Sequence, residues 1–253
     1  MTTRHLQGVT NFKTVSADPR CRAAIGTGLL FAALSTSGKL LLGGLVAAAL
    51  SFSRVRSSYM LFVAMIPLAL PGTLIAIMWQ WMFYDVGGFA NSLLACFGLI
   101  RQPVAWLGHG STAFYVMVGA AVWRAWGLFL LLFVLGARAI PRGIREAALL
   151  DGATGLRYMT SITLPFVRPL LISILILSCL LDLGEFDTTF GLTRGGPGYA
   201  THTAVTYAYE LGLIGTQFSL AIALALTVAP FVAGGILCIA LADDRAERAW
   251  KGW

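Results

Sequence analysis

Three hydrogen-bonding side chains recur at helical spacing in a segment that is otherwise almost entirely apolar. The segment reads ILSCLLDLGEFDTTF, and its Ser178, Asp182 and Glu185 stand at i, i+4 and i+7, on one face of a predicted helix. An ionisable group inside a membrane costs roughly 2.5–3.5 kcal/mol on insertion scales, so it normally faces a cavity or a partner. Carboxylates accept hydrogen bonds from hydroxyl-rich solutes. The pattern predicts a substrate path, or else ion pairs with Lys39, Arg124 or a partner helix.

A second group of large polar and aromatic residues lies in an earlier apolar segment. Trp123, Arg124 and Trp126 fall in the middle of that segment. Trp123 and Arg124 are further candidates for the substrate path. The alternative is that these tryptophans pack against neighbouring helices or lie in an interfacial belt, as tryptophans in membrane spans often do.

Other chemistries have no motif in this sequence. The stretch STSGKLLL contains Gly38-Lys39, but Ala33 stands where the first glycine of a G-x-x-x-x-G-K-[ST] phosphate loop should be. We therefore expect no ATP hydrolysis by this chain alone, and no cofactor or metal of its own. The four cysteines have no disulfide or metal-binding spacing and are interpreted as small apolar residues.

The composition is that of a membrane protein. Of the 253 residues, 58% are hydrophobic and only 11% are charged, and the mean hydropathy is +0.80; soluble domains are about a quarter charged. A spanning helix needs about 20 mainly apolar residues. Five stretches meet that length, namely Ala23–Leu50, Tyr59–Phe83, Ala113–Leu135, Leu170–Phe190 and Phe218–Leu241. The apolar stretch Asn91–Ile100 is too short to span, and we expect an interfacial or re-entrant helix there.

The basic residues predict an orientation, because Lys and Arg accumulate in cytoplasmic loops. If the loop with Arg54 and Arg56 is cytoplasmic, so are the loop 137–167 and the C-terminal tail. Ten basic residues then lie inside and six outside, and Lys39 and Arg124 lie within spans. Five spans place the N-terminus outside and the C-terminus in the cytoplasm. The net charge of +7 is accordingly attributed to membrane orientation and not to nucleic-acid binding.

The stretch EAALLDGATGLRYMTSITLP lies in the loop 137–167, between two long apolar runs. Good helix formers precede Gly152, which can provide the turn that ends a helix. A second short helix is expected over Gly155–Ile162, ending before Pro165, because the residue before a proline avoids helical geometry. The stretch predicts a helix–turn–helix on the membrane face. The residues alone leave open an ordinary basic loop.

Several fixed residues in this loop resemble the EAA signature of ABC-importer permeases. The matching positions are Glu146, Ala147, Ala148, Asp151, Gly152, Ile162, Leu164 and Pro165. Three further stretches, GVTNFKTVSADP, LTRGGPGYATHT and VWRAWGLFLLLFVLGARAIP, resemble segments of carbohydrate permeases of the maltose and glycerol-phosphate type. One departure is Trp126-Gly127, which replaces a commoner proline. The chain thus resembles a permease subunit of a carbohydrate ABC importer.

That resemblance implies an all-α type I ABC-importer transmembrane domain, with residues 1–253 forming one permease domain. It implies that the loop 137–167 couples to a partner ATPase dimer, which binds ATP and Mg, with Glu146 as an ionic contact and Gly152 as the turn. It also implies a second, non-identical permease, an extracytoplasmic solute-binding protein and a bacterial cytoplasmic membrane. In the family, the positions matching Ser178, Asp182 and Glu185 contact the sugar, although acids here replace amides.

The resemblance also implies a six-span core, whose first helix precedes the segment like GVTNFKTVSADP. This sequence carries five of those spans, so either the reading frame begins too late or the chain is a five-span variant. Two other function classes are an ion-coupled secondary transporter and a non-transporting membrane scaffold. The first usually has internal repeats, and we find no convincing repeat. The second has no need of an acidic helix face.

Overall fold

The structure is a computed structural model that describes residues 9–52 and 57–251, with side chains described for all of these except 51, 52, 57, 149 and 242–251. Arg54 and Arg56, whose loop is predicted to be cytoplasmic, and Arg4, one of the six basic residues predicted to lie outside, fall outside the described residues. All regular structure in the described part is helical, as a bilayer requires of a chain that must satisfy its own backbone hydrogen bonds. The helices are α1 Thr10–Ala17, α2 Pro19–Phe52, α3 Ser57–Ala69, α4 Gly72–Met82, α5 Phe89–Cys96, α6 Gly110–Ala139, α7 Arg142–Leu150, α8 Gly155–Tyr158, α9 Leu164–Leu183, α10 Asp187–Thr193, α11 Ala204–Tyr209 and α12 Phe218–Lys251.

The predicted membrane spans are confirmed as apolar helical segments, with one broken segment among them. Four helical stretches are long and apolar enough to cross a membrane, namely Pro19–Leu50, Gly110–Ala139, Gly155–Leu183 and Phe218–Leu241. The predicted span Tyr59–Phe83 is instead a helix pair, α3 and α4, bent by 96° at its break. The break falls at Leu70 and Pro71, because a residue before proline disfavours helical geometry and proline has no N–H to donate. If the bent pair is one span, the described chain has five.

The predicted span Leu170–Phe190 ends earlier than expected. Helix α9 stops at Leu183, and α10 begins only at Asp187. The last turn of α9 is closed by a hydrogen bond between residues three apart, in which the Glu185 N–H donates to the Asp182 carbonyl at 3.2 Å. The Glu185 carboxylate then accepts from the Thr188 N–H at 3.0 Å. The prediction that Glu185 lies on the same helix as Ser178 and Asp182 is therefore wrong, because Glu185 instead caps the start of the next helix.

A second prediction, that a short helix ends before Pro165, is also wrong. Helix α8 passes through a π turn, Met159–Thr163, directly into α9, which begins at Leu164. A proline inside a regular α-helix collides with the carbonyl four residues earlier. The wider π turn changes the position of that carbonyl, so the chain stays helical through the proline.

A short helix does occur between the second and third predicted spans, as expected, but α5 covers Phe89–Cys96 and not Asn91–Ile100. Its buried Asn91 joins it to the loop before α6. The Asn91 amide donates to the carbonyls of Asp85 and Val104, each at 3.0 Å, and its oxygen accepts from the Trp106 indole N–H at 2.9 Å. An isolated two-turn helix is unstable in water, so these hydrogen bonds of Asn91 hold α5 in position.

The described residues form two compact units. The first unit comprises residues 9–33, 72–120 and 180–234, and its core includes Val15, Tyr207 and Leu224. The second comprises residues 34–52, 57–71, 121–179 and 235–251, and its core includes Phe129 and Phe133.

Glycines let helices approach closely inside the second unit. A Cβ atom built on Gly43 of α2 would lie 2.7 Å from the Phe129 Cβ and 2.8 Å from the Leu130 backbone nitrogen of α6. A Cβ atom on Gly127 of α6 would overlap the Ala64 carbonyl oxygen of α3. Small residues are the usual means by which membrane helices bring their backbones together. The packing of α6 against α2 and α3 therefore depends on these two positions having no side chain.

Candidate functional site

The turn of the loop 137–167 is formed by Gly152. Helix α7 ends at Leu150, and Gly152 adopts a φ of +72°, which a residue with a side chain rarely adopts. The N–H of Ala153 donates back to the Ala148 carbonyl at 2.9 Å, and that of Asp151 donates to the Ala147 carbonyl at 3.0 Å. These bonds satisfy the last carbonyls of the helix, as in a Schellman-type C-cap. The predicted first helix and its turn at Gly152 are confirmed, whereas the second helix continues into α9.

The residues around this turn divide into an inner and an outer set. Ala148 and Ala153 are buried, whereas Glu146, Ala147 and Asp151 are exposed. Small alanines allow α7 to pack closely on the rest of its unit. The exposed members are left available to a partner.

The outer side of α7 also carries apolar side chains. Leu150 is 89% exposed and Ile144 is exposed as well, as is Leu156 of the following helix α8. Ile144 and Ala147 are three residues apart on one helical face. Apolar side chains this exposed beside a charged residue are typical of an interaction site.

The end of the signature lies where this loop joins a span. Ile162 is partly buried within the π turn, and Leu164 and Pro165 are exposed at the start of α9. These residues therefore belong to the same continuous helical segment as the span that follows. The coupling role of the whole set remains a prediction.

In the second unit, Ser178 belongs to a buried polar cluster. Its hydroxyl oxygen lies 3.4 Å from the Lys39 Nζ and 3.3 Å from the Thr36 Oγ1, and both atoms donate to it. Lys39 and Thr36 are buried. The structure thus brings one predicted path residue together with the lysine of α2, which the sequence suggested only as a partner of the acids.

The other predicted path residues are distributed over several elements. In the first unit, Asp182 is buried, with 6% of its surface exposed, near the end of α9. Glu185 lies beyond that helix and caps α10. In the second unit, Trp123 and Arg124 are partly buried on α6. Only Ser178 and Asp182 share a helix at the predicted i, i+4 spacing, and the path role of all five remains a prediction.

Sequence reasoning missed a buried histidine network in the segment LTRGGPGYATHT. His202 is 3% exposed, its Nε2 lies 2.7 Å from the Glu210 Oε2, and its Nδ1 lies 3.1 Å from the Thr206 Oγ1. Thr206 and Thr203 also form a capping box at the start of α11. Gly195, with a φ of +79°, lies directly against the imidazole, where any Cβ would overlap the ring. The one sequence signal of this network was the histidine in the run T-H-T. Its partner Glu210 lies further along the chain, and no local pattern indicates the pairing.

Burial lowers the pKa of His202 below its ordinary value of 6.5, and the Glu210 carboxylate opposes this shift without reversing it. The unfolded chain then binds a proton that the folded chain does not. The stabilising contribution of neutral His202 is therefore complete above pH 6.5 and is lost as the pH falls below that value.

We accordingly expect the melting temperature of the wild-type protein to fall more steeply between pH 7.5 and 5.5 than that of His202→Gln. Glutamine keeps a hydrogen-bonding group at this position but does not titrate. The matched control is His109→Gln, which removes an exposed histidine and should leave the wild-type slope unchanged. Equal slopes for the wild type and His202→Gln would contradict the assignment.

Comparison with known proteins identifies the family of this chain. Residues 40–249 match the family described as the inner membrane component of binding-protein-dependent transport systems. The chain belongs to this family. The match covers α3 to α11 completely, including the Gly152 turn, so the resemblance stated from the EAA signature is confirmed.

Among its relatives, the permease is 39% identical to the trehalose/maltose transport system permease protein MalF of Thermococcus litoralis, over 63% of this chain and 55% of that protein. It is 26% identical to the multiple sugar-binding transport system permease protein MsmF of Streptococcus mutans, over 92% of this chain and 78% of that protein. The chain thus matches little more than half of the first relative and about three quarters of the second.

The fold of the permease is also that of a solved transporter. It superposes with a TM-score of 0.81 on a chain of a bacterial ABC transporter involved in the import of the acidic polysaccharide alginate, at 21% identity, covering 97% of this chain and 85% of that one. A chain of a bacterial alginate ABC transporter in complex with an alginate pentasaccharide-bound periplasmic protein gives a TM-score of 0.79. The predicted all-α importer transmembrane fold is confirmed.

Proposed function

We propose that this permease forms, with a second permease, the translocation path for a sugar or related hydroxyl-rich solute in an ATP-driven importer. The observation that carries the proposal is the outward surface of α7, with exposed Glu146 and Leu150 beside the Gly152 turn. This surface suits a coupling helix that docks on a separate ATPase dimer. The names of the relatives, which are sugar transport permeases, support the solute class.

The other subunits follow from the same proposal. The ATPase dimer supplies ATP and Mg binding, and this chain holds no cofactor and performs no hydrolysis. An extracytoplasmic solute-binding protein delivers the solute, in keeping with the family description and with the complex solved for the alginate transporter. The second permease is non-identical. The site of action is a bacterial cytoplasmic membrane, with the C-terminus of this chain in the cytoplasm.

The test is solute uptake by proteoliposomes that contain this chain and the binding protein. The second permease and the ATPase in the same vesicles are those encoded by neighbouring genes. A panel of labelled neutral sugars, sugar phosphates and uronic acids is offered with ATP inside the vesicles. We expect uptake of a neutral sugar that requires both ATP and the binding protein. Uptake driven by an ion gradient without ATP would identify a secondary transporter. Assembly without uptake of any solute would identify a scaffold.

The proposed orientation has its own test. In a background without the four native cysteines, we expect a cysteine at the exposed Thr154 to react with an impermeant maleimide only after the membrane is opened. A cysteine at the exposed Ala200 should react in intact cells. Ala200 is preferred to the nearby Gly198, whose φ of +59° would strain any side chain. Reaction of both positions from one side would refute this orientation.

For Asp182, we expect replacement by alanine to reduce transport affinity about tenfold or more, because a hydrogen bond to a charged group is worth roughly 1.5–3 kcal/mol. Assembly with the ATPase should persist, since α7 is untouched. The control is Asp85→Ala, which removes an exposed carboxylate.

The alternative role of Asp182, an ion pair within the protein, predicts a different result. Removing one partner of a buried pair leaves the other charge uncompensated, so Asp182→Ala would then lower the melting temperature of the complex. The same purified complex gives both measurements, the melting temperature and the solute-stimulated ATPase rate. A stable complex with an unchanged solute response would exclude both roles.

A further inference from the structure

A cavity of about 340 Å³ lies within the second unit, beside the coupling turn. Three spans line it. Leu50 lies near the C-terminal end of α2 and Phe133 in the C-terminal part of α6, and the third span contributes its N-terminal end, which begins at Gly155. Neither the EAA signature nor the candidate substrate path accounts for this space. Its position at the ends of spans places it at the depth of the membrane–water interface.

Two hydroxyl groups at the cavity are buried without a hydrogen-bond partner among the described residues. They are the Oγ1 of Thr163, whose side chain is 1% exposed, and the Oη of Tyr158. Both residues line the cavity. Buried hydroxyls almost always have a partner, so two unsatisfied hydroxyls at one cavity require an explanation. A ligand with acceptor oxygens would supply the partner that the chain does not.

The mouth of the cavity is positively charged. Arg138, near the end of α6, and Arg145, in α7, both line it and are both exposed. Guanidinium groups bind phosphate oxygens with charge-assisted hydrogen bonds. The wall below them is apolar, with Leu50 and Phe133. The cavity therefore combines cationic donors at its mouth with neutral donors and an apolar wall inside.

We propose that this cavity binds the phosphate head group of an anionic phospholipid. Arg138 and Arg145 hold the phosphate, the hydroxyls of Thr163 and Tyr158 donate to its ester or glycerol oxygens, and the apolar wall contacts the start of an acyl chain. Basic pockets between helices at a membrane face are known sites for such head groups. A lipid is favoured over a soluble phosphate because the cavity lies at the ends of spans. The lipid belongs to the cytoplasmic leaflet, an assignment that rests on the orientation given in the proposed function.

The location gives the site a consequence. Arg145 belongs to α7, and Thr163 belongs to the π turn that joins α7 and α8 to the span α9. A lipid held by both ties the proposed coupling helix to its span. Its binding therefore stabilises this part of the permease.

The experiment uses the permease purified with its partner subunits in neutral detergent, and measures its melting temperature during titration with dihexanoyl phosphatidylglycerol. Dihexanoyl phosphatidylcholine and inorganic phosphate are titrated in parallel. We expect a saturable rise with phosphatidylglycerol and none with the other two. An equal rise with phosphatidylcholine overturns the proposal. A rise with inorganic phosphate at the same concentration shows a soluble anion as the ligand, and also overturns it. No rise with any of the three does the same.

Three variants sharpen the test. Arg145→Gln should raise the apparent dissociation constant for phosphatidylglycerol about tenfold or more. Arg142→Gln, which removes an exposed arginine three residues earlier on the same helix and outside the cavity, should not change it. Thr163→Val replaces the unsatisfied hydroxyl by a methyl group of the same shape. Without lipid it should melt at or above the wild-type temperature, yet bind phosphatidylglycerol several-fold more weakly.

If Arg145→Gln does not assemble, Thr163→Val decides the question alone. Equal losses in the Arg142 and Arg145 variants would show general attraction to charge and would refute a site. None of these measurements uses transport, so a complex that binds the lipid but imports nothing would contradict the proposed function and not this inference.

Discussion

Glu146→Lys should fold and reach the membrane, but it should retain less of the ATPase and lose at least about nine tenths of its ATP-driven uptake. The side chain is exposed on α7, so the change costs little within the chain. At a docked helix it replaces attraction by repulsion, and juxtaposed like charges at an interface cost several kcal/mol. Each 1.4 kcal/mol is a factor of ten in binding. The measurements are the amount of ATPase that co-purifies with the permease and the uptake rate of proteoliposomes.

The control for Glu146→Lys is Asp85→Lys, which reverses an exposed charge outside the coupling loop and should transport normally. The turn beside Glu146 allows a second comparison. Gly152→Ala places a side chain at a φ of +72°. Gly143→Ala, in the same loop, adds a Cβ that meets no atom within 4 Å and does not lie at a positive φ. We expect only the first to impair uptake. Normal uptake in both Glu146→Lys and Gly152→Ala would remove α7 from the coupling mechanism.

Gly43→Val should prevent stable folding, whereas Gly44→Val, one residue along, should be tolerated. A side chain on Gly43 meets the Phe129 Cβ at 2.7 Å, the Leu130 backbone nitrogen at 2.8 Å and the Trp126 carbonyl oxygen at 3.0 Å. Two of these are backbone atoms, which cannot rotate away. A side chain on Gly44 meets only ring atoms of Phe133, at 3.4 and 3.8 Å, which are ordinary contacts.

Alanine, a smaller side chain than valine, gives the same comparison with smaller expected effects. Overpacking in a tight helix contact costs typically 1–3 kcal/mol, against a gain of up to about 1 kcal/mol in helix propensity. Gly43→Ala should therefore lower the melting temperature of the complex by several degrees, and Gly44→Ala should leave it unchanged or raise it. A Gly43→Ala complex that melts at or above the wild-type temperature would show that α2 and α6 separate easily.

The parts of this fold that could be predicted are those that depend on a continuous local pattern. Apolar length alone located the four long spanning helices, since a helix in lipid needs only enough apolar residues in sequence. The turn at Gly152 was predictable for the same reason, because its glycine and the helix formers before it are neighbours in the chain. The matched family residues around that turn added specificity that apolar length cannot provide.

The breaks in the helices were not predictable from apolar length. Leu70 and Pro71 interrupt a run that is apolar throughout, and counting apolar residues does not register the interruption. Glu185 appeared to continue a helical face, but its carboxylate caps α10 and the helix has already ended at Leu183. Periodicity shows where a side chain would point if the helix continued. It does not show which backbone N–H group will compete for that side chain.

The parts of the site that were missed depend on partners far apart in the chain. Thr36 and Lys39 reach Ser178 across more than 130 residues. The cavity lined by Arg138 and Thr163 exists only because the ends of separate spans meet. No spacing within the sequence encodes such pairs, and only the packed structure assembles them.

The π turn at Met159–Thr163 has a consequence for how this segment tolerates insertions and deletions. A π turn contains one residue more than the α-helical turn it replaces, and one residue corresponds to about 100° of rotation about the helix axis. Because the π turn still completes about one rotation of the helix, deleting its extra residue would leave α7 and its outward face close to their present orientation relative to α9. That deletion would instead return Pro165 to a regular α-helix, where its ring collides with the carbonyl four residues earlier. A one-residue deletion within the regular part of α9 would rotate α7 by about 100° relative to the far end of that span, and would turn its outward face away from the proposed partner.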